Sequence, residues 1–204
     1  MSTYTIPYVV SRTPQGERTI DLYSRLLGER IVYLGTEIDD GVANALIGQL
    51  LHLESDNPDA PISLYINSPG GAITSMLAVY DAIQFVAPPV HTTCVGQAAH
   101  TAAVLLAAGE PGNRMILPHG RVVLHQPAGQ GRGTVPDLIL EAEEIERVRL
   151  LLEDLLSRHT GRSVAQVRDD TDRSLVLQAP QAVEYGVVDG ILPSRKIAPT
   201  TASR

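Results

Sequence analysis

The chain has one cysteine, Cys94, among 204 residues, so no internal disulfide forms and a reducing compartment suits it. It lacks any apolar run near the roughly 18–20 residues that a membrane-spanning helix needs. The stretch Ala102–Ala108 is apolar but short and reads as a buried helix. No positive cluster followed by an apolar segment opens the sequence, so a secretory leader is not indicated and a cytoplasmic location is expected. A Gly-x-x-x-x-Gly-Lys-Ser/Thr phosphate loop is missing too, which leaves any ATP dependence to a separate protein. Positive charge is in deficit. The formal net charge of −7 disfavours nucleic acid or an anionic membrane as principal partner. What remains, 44% hydrophobic and 19% charged residues, is the composition of an ordinary globular domain with a substantial core.

The first 17 residues contain Pro7, Pro14 and Gly16 and read as a mobile arm; residues 18–193 read as one domain and 194–204 as a disordered tail. Strand and helix signals then alternate. Ile31–Leu34 is a short buried-strand run, and a helix starts at Asp39 or Asp40, either of which suits a cap. Val42, Leu46, Ile47, Leu50 and Leu53 follow at helical spacing. Ile62, Leu64 and Ile66 alternate with polar neighbours, as in a strand. A second helix is expected over 72–86, stopped by Pro88-Pro89. Residues 90–95 read as a strand, with Gly96 leading into a helix that carries His100. Two short strands at 115–117 and 122–124 precede the longest helix, expected over 136–158 with Pro136 in its first turn. A short helix at 179–185 ends at Gly186. This rhythm predicts a layered α/β domain with a largely parallel sheet.

Three segments carry the chemistry. They are Ser68-Pro69-Gly70-Gly71, then Gly96-Gln97-Ala98-Ala99-His100-Thr101, then Leu124-His125-Gln126-Pro127. Further matches are Tyr23-Ser24-Arg25-Leu26-Leu27, His159-Thr160-Gly161 and Ala182-Val183-Glu184-Tyr185-Gly186. In this order and spacing the chain resembles the proteolytic subunit of the Clp protease, ClpP, over nearly its whole length. The resemblance implies the ClpP/crotonase type of α/β fold, with a protruding strand-helix handle at about 126–160. It puts the nucleophile at His100, the base at His125 and the orienting acid at Ser174, with backbone N–H groups of Gly71 and Thr101 as the oxyanion hole. It also implies an unfoldase-docking pocket at Tyr65, Phe85, Val95, Met115, Leu117 and Leu192, in which Ser63 and Thr93 replace apolar members. No cofactor is implied. The implied partners are ClpP-like subunits in heptameric or tetradecameric rings, including a catalytic paralogue, and an AAA+ unfoldase.

An active serine protease needs a hydroxyl, an imidazole base and a group fixing the base's tautomer. His125 remains, whereas the nucleophile and acid positions hold His100 and Ser174. In serine proteases generally, losing the nucleophile costs about six orders of magnitude in turnover, and losing the acid about four. The expectation is a degenerate, ClpR-like subunit that keeps the architecture without the peptidase chemistry and serves a structural or regulatory role. Neither Ser174 nor Ser68 is placed to replace the nucleophile. A zinc site at His100 and His125 lacks a third ligand, so no metal is expected. The alternatives are an active peptidase with an unconventional site, a crotonase-like acyl-CoA enzyme, and a stand-alone scaffold.

Overall fold

The computed structural model describes residues 6–13, 16–128 and 133–195. Strand β1 (Tyr8–Thr13) pairs antiparallel with β2 (Gly16–Asp21). The described part of the segment read as an arm therefore supplies β1 and the first two residues of β2. Residues 1–5, 14–15 and 196–204, with most of the expected tail, lie outside the described residues. Asp21 caps helix α1 (Leu22–Gly28), accepting from the Ser24 N–H at 2.9 Å.

A second sheet of seven strands forms the body, in the order β3-β4-β5-β6-β9, with β7 pairing β5 and β8. Its strands are β3 (Ile31–Leu34), β4 (Ile62–Ser68), β5 (Val90–Ala99), β6 (Arg114–Ile116), β7 (Arg121–Leu124), β8 (Leu175–Gln178) and β9 (Gly190–Ile191). All pairings are parallel except β7 with β8. In β4 burial alternates strictly, with Ile62, Leu64 and Ile66 at 0–1% exposure. Each such side chain contributes about 1.5–3 kcal/mol of burial.

Helices α2 (Asp40–Asp56), α3 (Ile73–Phe85), α4 (Thr101–Ala107), α5 (Val135–Thr160), α6 (Val164–Thr171) and α7 (Ala179–Tyr185) complete the layers. Asp39 caps α2 by accepting from Val42 N–H at 2.8 Å. A Thr134/Asp137 capping box opens α5, and left-handed glycines Gly161 (φ 74°) and Gly186 (φ 91°) close α5 and α7. Helix α5 has two characters. Its C-terminal half buries Leu152, Leu155 and Leu156, whereas Val135, Ile139 and Leu140 near its start are 69%, 54% and 65% exposed. Among the described residues the expected handle consists of this helix alone, with no strand beside it.

The sheet forks inside β5. Its register against β4 shifts between Ile66 and Ser68, before which β5 pairs with β6 and after which it pairs with β7. Gly96 sits at the fork. A Cβ there would lie 2.5 Å from Asn67 Oδ1, the atom that accepts from Gln97 N–H at 3.2 Å. Contrary to the sequence expectation, Gly96 therefore does not begin a helix. The strand runs on through Ala99, and His100 stands at the turn between β5 and α4.

Candidate functional site

His100 has φ 51° and ψ −116°, a conformation that non-glycine residues rarely adopt. Backbone contacts hold it there: His100 N–H donates to Val123 C=O at 2.7 Å, and Ala103 N–H donates to His100 C=O at 3.0 Å. The Gly70-Gly71 turn presses against this bend. A Cβ on Gly70, itself at φ 96°, would fall 2.7 Å from Ala99 C=O and 3.1 Å from His100 Cβ. The turn is fixed from behind by Ile38, whose N–H donates to Gly70 C=O and whose C=O accepts from Ala72 N–H, at 2.9 and 2.8 Å. In such a parallel bridge the N–H of the intervening residue, Gly71, faces away from Ile38, and Gly71 lines the pocket beside His100. A Cβ on Gly71 would stand 2.2 Å from Ile38 C=O. Thr101 is the first residue of α4, where an N–H has no intrahelical acceptor, and its hydroxyl donates to Gly71 C=O at 3.4 Å.

The His100 and His125 rings meet edge to face, with centroids 5.7 Å apart and planes at 80°. His125 follows β7 and is half-buried. Its Nδ1 contacts Gln126 C=O. A carbonyl only accepts, so Nδ1 carries the proton and the neutral ring keeps its lone pair on Nε2. The ring of His100 is held below the ordinary imidazole pKa by desolvation and then by charge on His125. Together with Ile73, Val104, Leu152 and Leu156 the two histidines line a pocket of about 300 Å3.

Ser174 is exposed and immediately precedes β8. The last pair of the β7–β8 ladder is Leu124 with Leu175, which sets Ser174 across from His125. No hydrogen bond joins their side chains among the described residues; the Gln126 carbonyl occupies Nδ1 instead. The carboxylate of Asp172 is turned to the Gln126 side-chain amide, at 3.4 Å. Ser68 is fully buried, its hydroxyl accepting from Gly70 N–H at 3.1 Å. Among the described residues no group of three metal-ligating side chains occurs.

The sequence profile of the Clp protease family matches residues 14–195. The chain belongs to the Clp protease family. Among its relatives, an ATP-dependent Clp protease proteolytic subunit 1 from Nocardia farcinica is 62% identical over 96% of this chain and 100% of that protein. Proteolytic subunit 2 from Streptomyces avermitilis is 60% identical over 97% of this chain and 99% of its own length. Proteolytic subunit 4 from Rhodococcus jostii is 58% identical over 94% and 99%. The parallel sheet flanked by helices is consistent with the ClpP fold, and no described helix is long and apolar enough to cross a membrane.

For this Clp family chain, five of the six residues assigned to an unfoldase pocket share a sheet face. Tyr65 and Met115 flank Thr93 in register, and all three are half-buried. Leu117 N–H donates to Cys94 C=O, next to Val95, and Leu192 N–H donates to Ile116 C=O, next to Leu117. Ser63 lies two residues along β4 from Tyr65, on the same side. Phe85 belongs to another element, at the end of α3, and is 77% exposed. Sequence reasoning missed the Gln126 carbonyl as the group holding His125. A backbone acceptor leaves no side-chain signal.

Proposed function

We propose that this Clp family subunit has lost peptidase chemistry and acts structurally or as a regulator within a ring assembly of ClpP-like subunits. The observation that carries this reading is the occupant of the bend between β5 and α4: an imidazole, where the family reading requires a hydroxyl. Neither Ser68 nor Ser174 supports a substitute mechanism. Ser68 is buried in its own turn, and Ser174 is exposed on the far side of His125 from His100 by ladder order.

The assembly is a heptameric ring, single or stacked, formed with itself or with a catalytic paralogue. Its arm is residues 1–17, its handle lies at about 126–160 and its tail at 194–204. ATP is consumed only by a separate AAA+ unfoldase that docks on the surface of Tyr65, Phe85, Val95, Met115, Leu117 and Leu192. Two hydroxyls on that face, Ser63 and Thr93, reduce the apolar area available to a docking loop and weaken that contact. The complex works in the cytoplasm. Identity of about 60% to Clp proteolytic subunits over nearly full length supports this placement over an acyl-CoA enzyme.

Native mass spectrometry of the protein alone, and mixed with a catalytic Clp proteolytic subunit, tests the assembly. A fluorogenic peptide and a fluorophosphonate probe test the chemistry. Rings without labelling of this chain are expected, with peptidase activity following the catalytic subunit. Labelling of this chain, or peptide cleavage by it alone that His125→Ala abolishes, overturns the reading. A monomer that joins no ring transfers weight to a stand-alone scaffold.

A further inference from the structure

The pocket is not chemically inert merely because the bend between β5 and α4 presents no hydroxyl. An imidazole lone pair stands on a strained bend beside an outward-turned N–H, a second imidazole of fixed tautomer and an apolar cavity. We propose that His100 is a nucleophile toward activated carboxylic esters, aryl esters or thioesters with a short apolar acyl chain, and that His125 assists hydrolysis of the resulting acyl-imidazole.

Four observations support this. The bend at φ 51° is imposed by backbone hydrogen bonds and by Gly70, so the ring of His100 is presented at the pocket rather than packed into the core. Gly71 N–H, directed away from Ile38 by the flanking bridge bonds, lies in the same wall and offers a donor to a developing oxyanion. Ile73, Val104, Leu152 and Leu156 line a volume of about 300 Å3 that suits an alkyl chain and provides no charged partner for a polar acyl group. Desolvation and the neighbouring histidine lower the His100 pKa and so favour its neutral, nucleophilic form.

In the first step a ring nitrogen of His100 forms a bond to the acyl carbon, and the carbonyl π pair moves onto oxygen, facing Gly71 N–H. Collapse breaks the carbon–oxygen or carbon–sulfur bond, and the phenolate or thiolate leaves with the bonding pair. The acylated ring sheds the one N–H proton on its other nitrogen, which ends on the leaving group. In the second step water attacks the acyl carbon while Nε2 of His125 takes its proton. The carbon–nitrogen bond then breaks, returning the electron pair to His100 as an imidazolate, which takes the proton from His125, so that each ring is again neutral with one N–H. One ester and one water give one acid and one alcohol or thiol. Amides lie outside this scope, because their amine leaving group departs too poorly from a tetrahedral adduct on neutral imidazole. The proposal therefore goes beyond the loss of peptidase activity without contradicting it.

The test uses p-nitrophenyl hexanoate with the full chain, and intact-protein and peptide mass spectrometry on quenched samples. Saturable hydrolysis is expected, falling to the protein-free rate in His100→Asn, a variant whose side chain tolerates positive φ and whose fold circular dichroism checks. His125→Ala is expected to slow turnover by about 10²-fold and to accumulate a hexanoyl adduct on the peptide containing His100. His119→Ala, an exposed histidine outside the pocket, is the control for unspecific imidazole catalysis and keeps the full rate. Hydrolysis that survives His100→Asn, an adduct on another residue, or the absence of saturable hydrolysis overturns the proposal. Each of these outcomes leaves the peptidase reading untouched, since that reading is scored on peptides and fluorophosphonate.

Discussion

Restoring the two altered positions separates what His100 and Ser174 each remove. His100→Ser returns a hydroxyl to the bend, and Ser174→Asp returns a carboxylate across from His125. In a serine protease whose orienting carboxylate becomes an amide, turnover drops about 10⁴-fold because the base adopts the wrong tautomer. Here the correct tautomer is already held by the Gln126 carbonyl on Nδ1, so most of that factor is retained. The carboxylate gains only the difference between a charge-assisted bond, about 1.5–3 kcal/mol, and a neutral one, about 1 kcal/mol. That difference, about 0.5–2 kcal/mol, corresponds to roughly 2- to 30-fold in rate. The second-order rate of fluorophosphonate labelling, together with hydrolysis of a small fluorogenic peptide, measures it. His100→Ser alone is expected to be labelled and the double variant to react roughly tenfold faster. An increase near 10⁴-fold would refute the role given to the Gln126 carbonyl. No increase at all would mean that a carboxylate at position 174 cannot reach Nδ1.

Arg114 is 8% exposed; it binds Asp189 through Nε at 3.0 Å and NH2 at 2.5 Å and donates from NH1 to His159 C=O at 2.7 Å. Arg114→Ala is expected to cost about 3 kcal/mol in urea unfolding, and a loss under about 1 kcal/mol contradicts the pairing. Glu153, 3% exposed, is pushed up by burial, but hydrogen bonds from Arg168 and Arg149 outweigh this and leave its pKa below the ordinary carboxylate value. A depressed folded pKa gives stability that is present above the unfolded carboxylate pKa and lost as pH falls through the folded one. Glu153→Gln should therefore flatten the acid limb of the stability profile, and an unchanged limb counts against the pair. Gly71→Ala places a methyl 2.2 Å from Ile38 C=O. It should cost about 2–3 kcal/mol and disorder the pocket, which unfolding curves and ester hydrolysis both report; a neutral effect argues against the bridge.

Features written in local chemistry were legible in the sequence. The alternation of Ile62, Leu64 and Ile66, the Asp39 cap and the Gly186 stop each need only a few neighbouring residues. Helix α1 escaped because Leu22–Gly28 is too short to display a period and buries no residue fully. The fork in β5 escaped for another reason. The Asn67 side chain that demands Gly96 is about thirty positions away, so only tertiary structure joins them. Phe85 was assigned by family resemblance, and in this single chain it stands on a separate element from its expected companions. The candidate site was identified by residue, but the group that holds His125 was not, since it belongs to the main chain.

The bend between β5 and α4 behaves as a socket whose shape is independent of its plug. Its contacts with Val123, Ala99 and the Gly70 turn are made by main chain and by a missing Cβ, none of them by the imidazole of His100. Selection can therefore exchange the reactive group in one step while the mould that presents it survives, which makes loss and reinvention of chemistry equally accessible from the same scaffold.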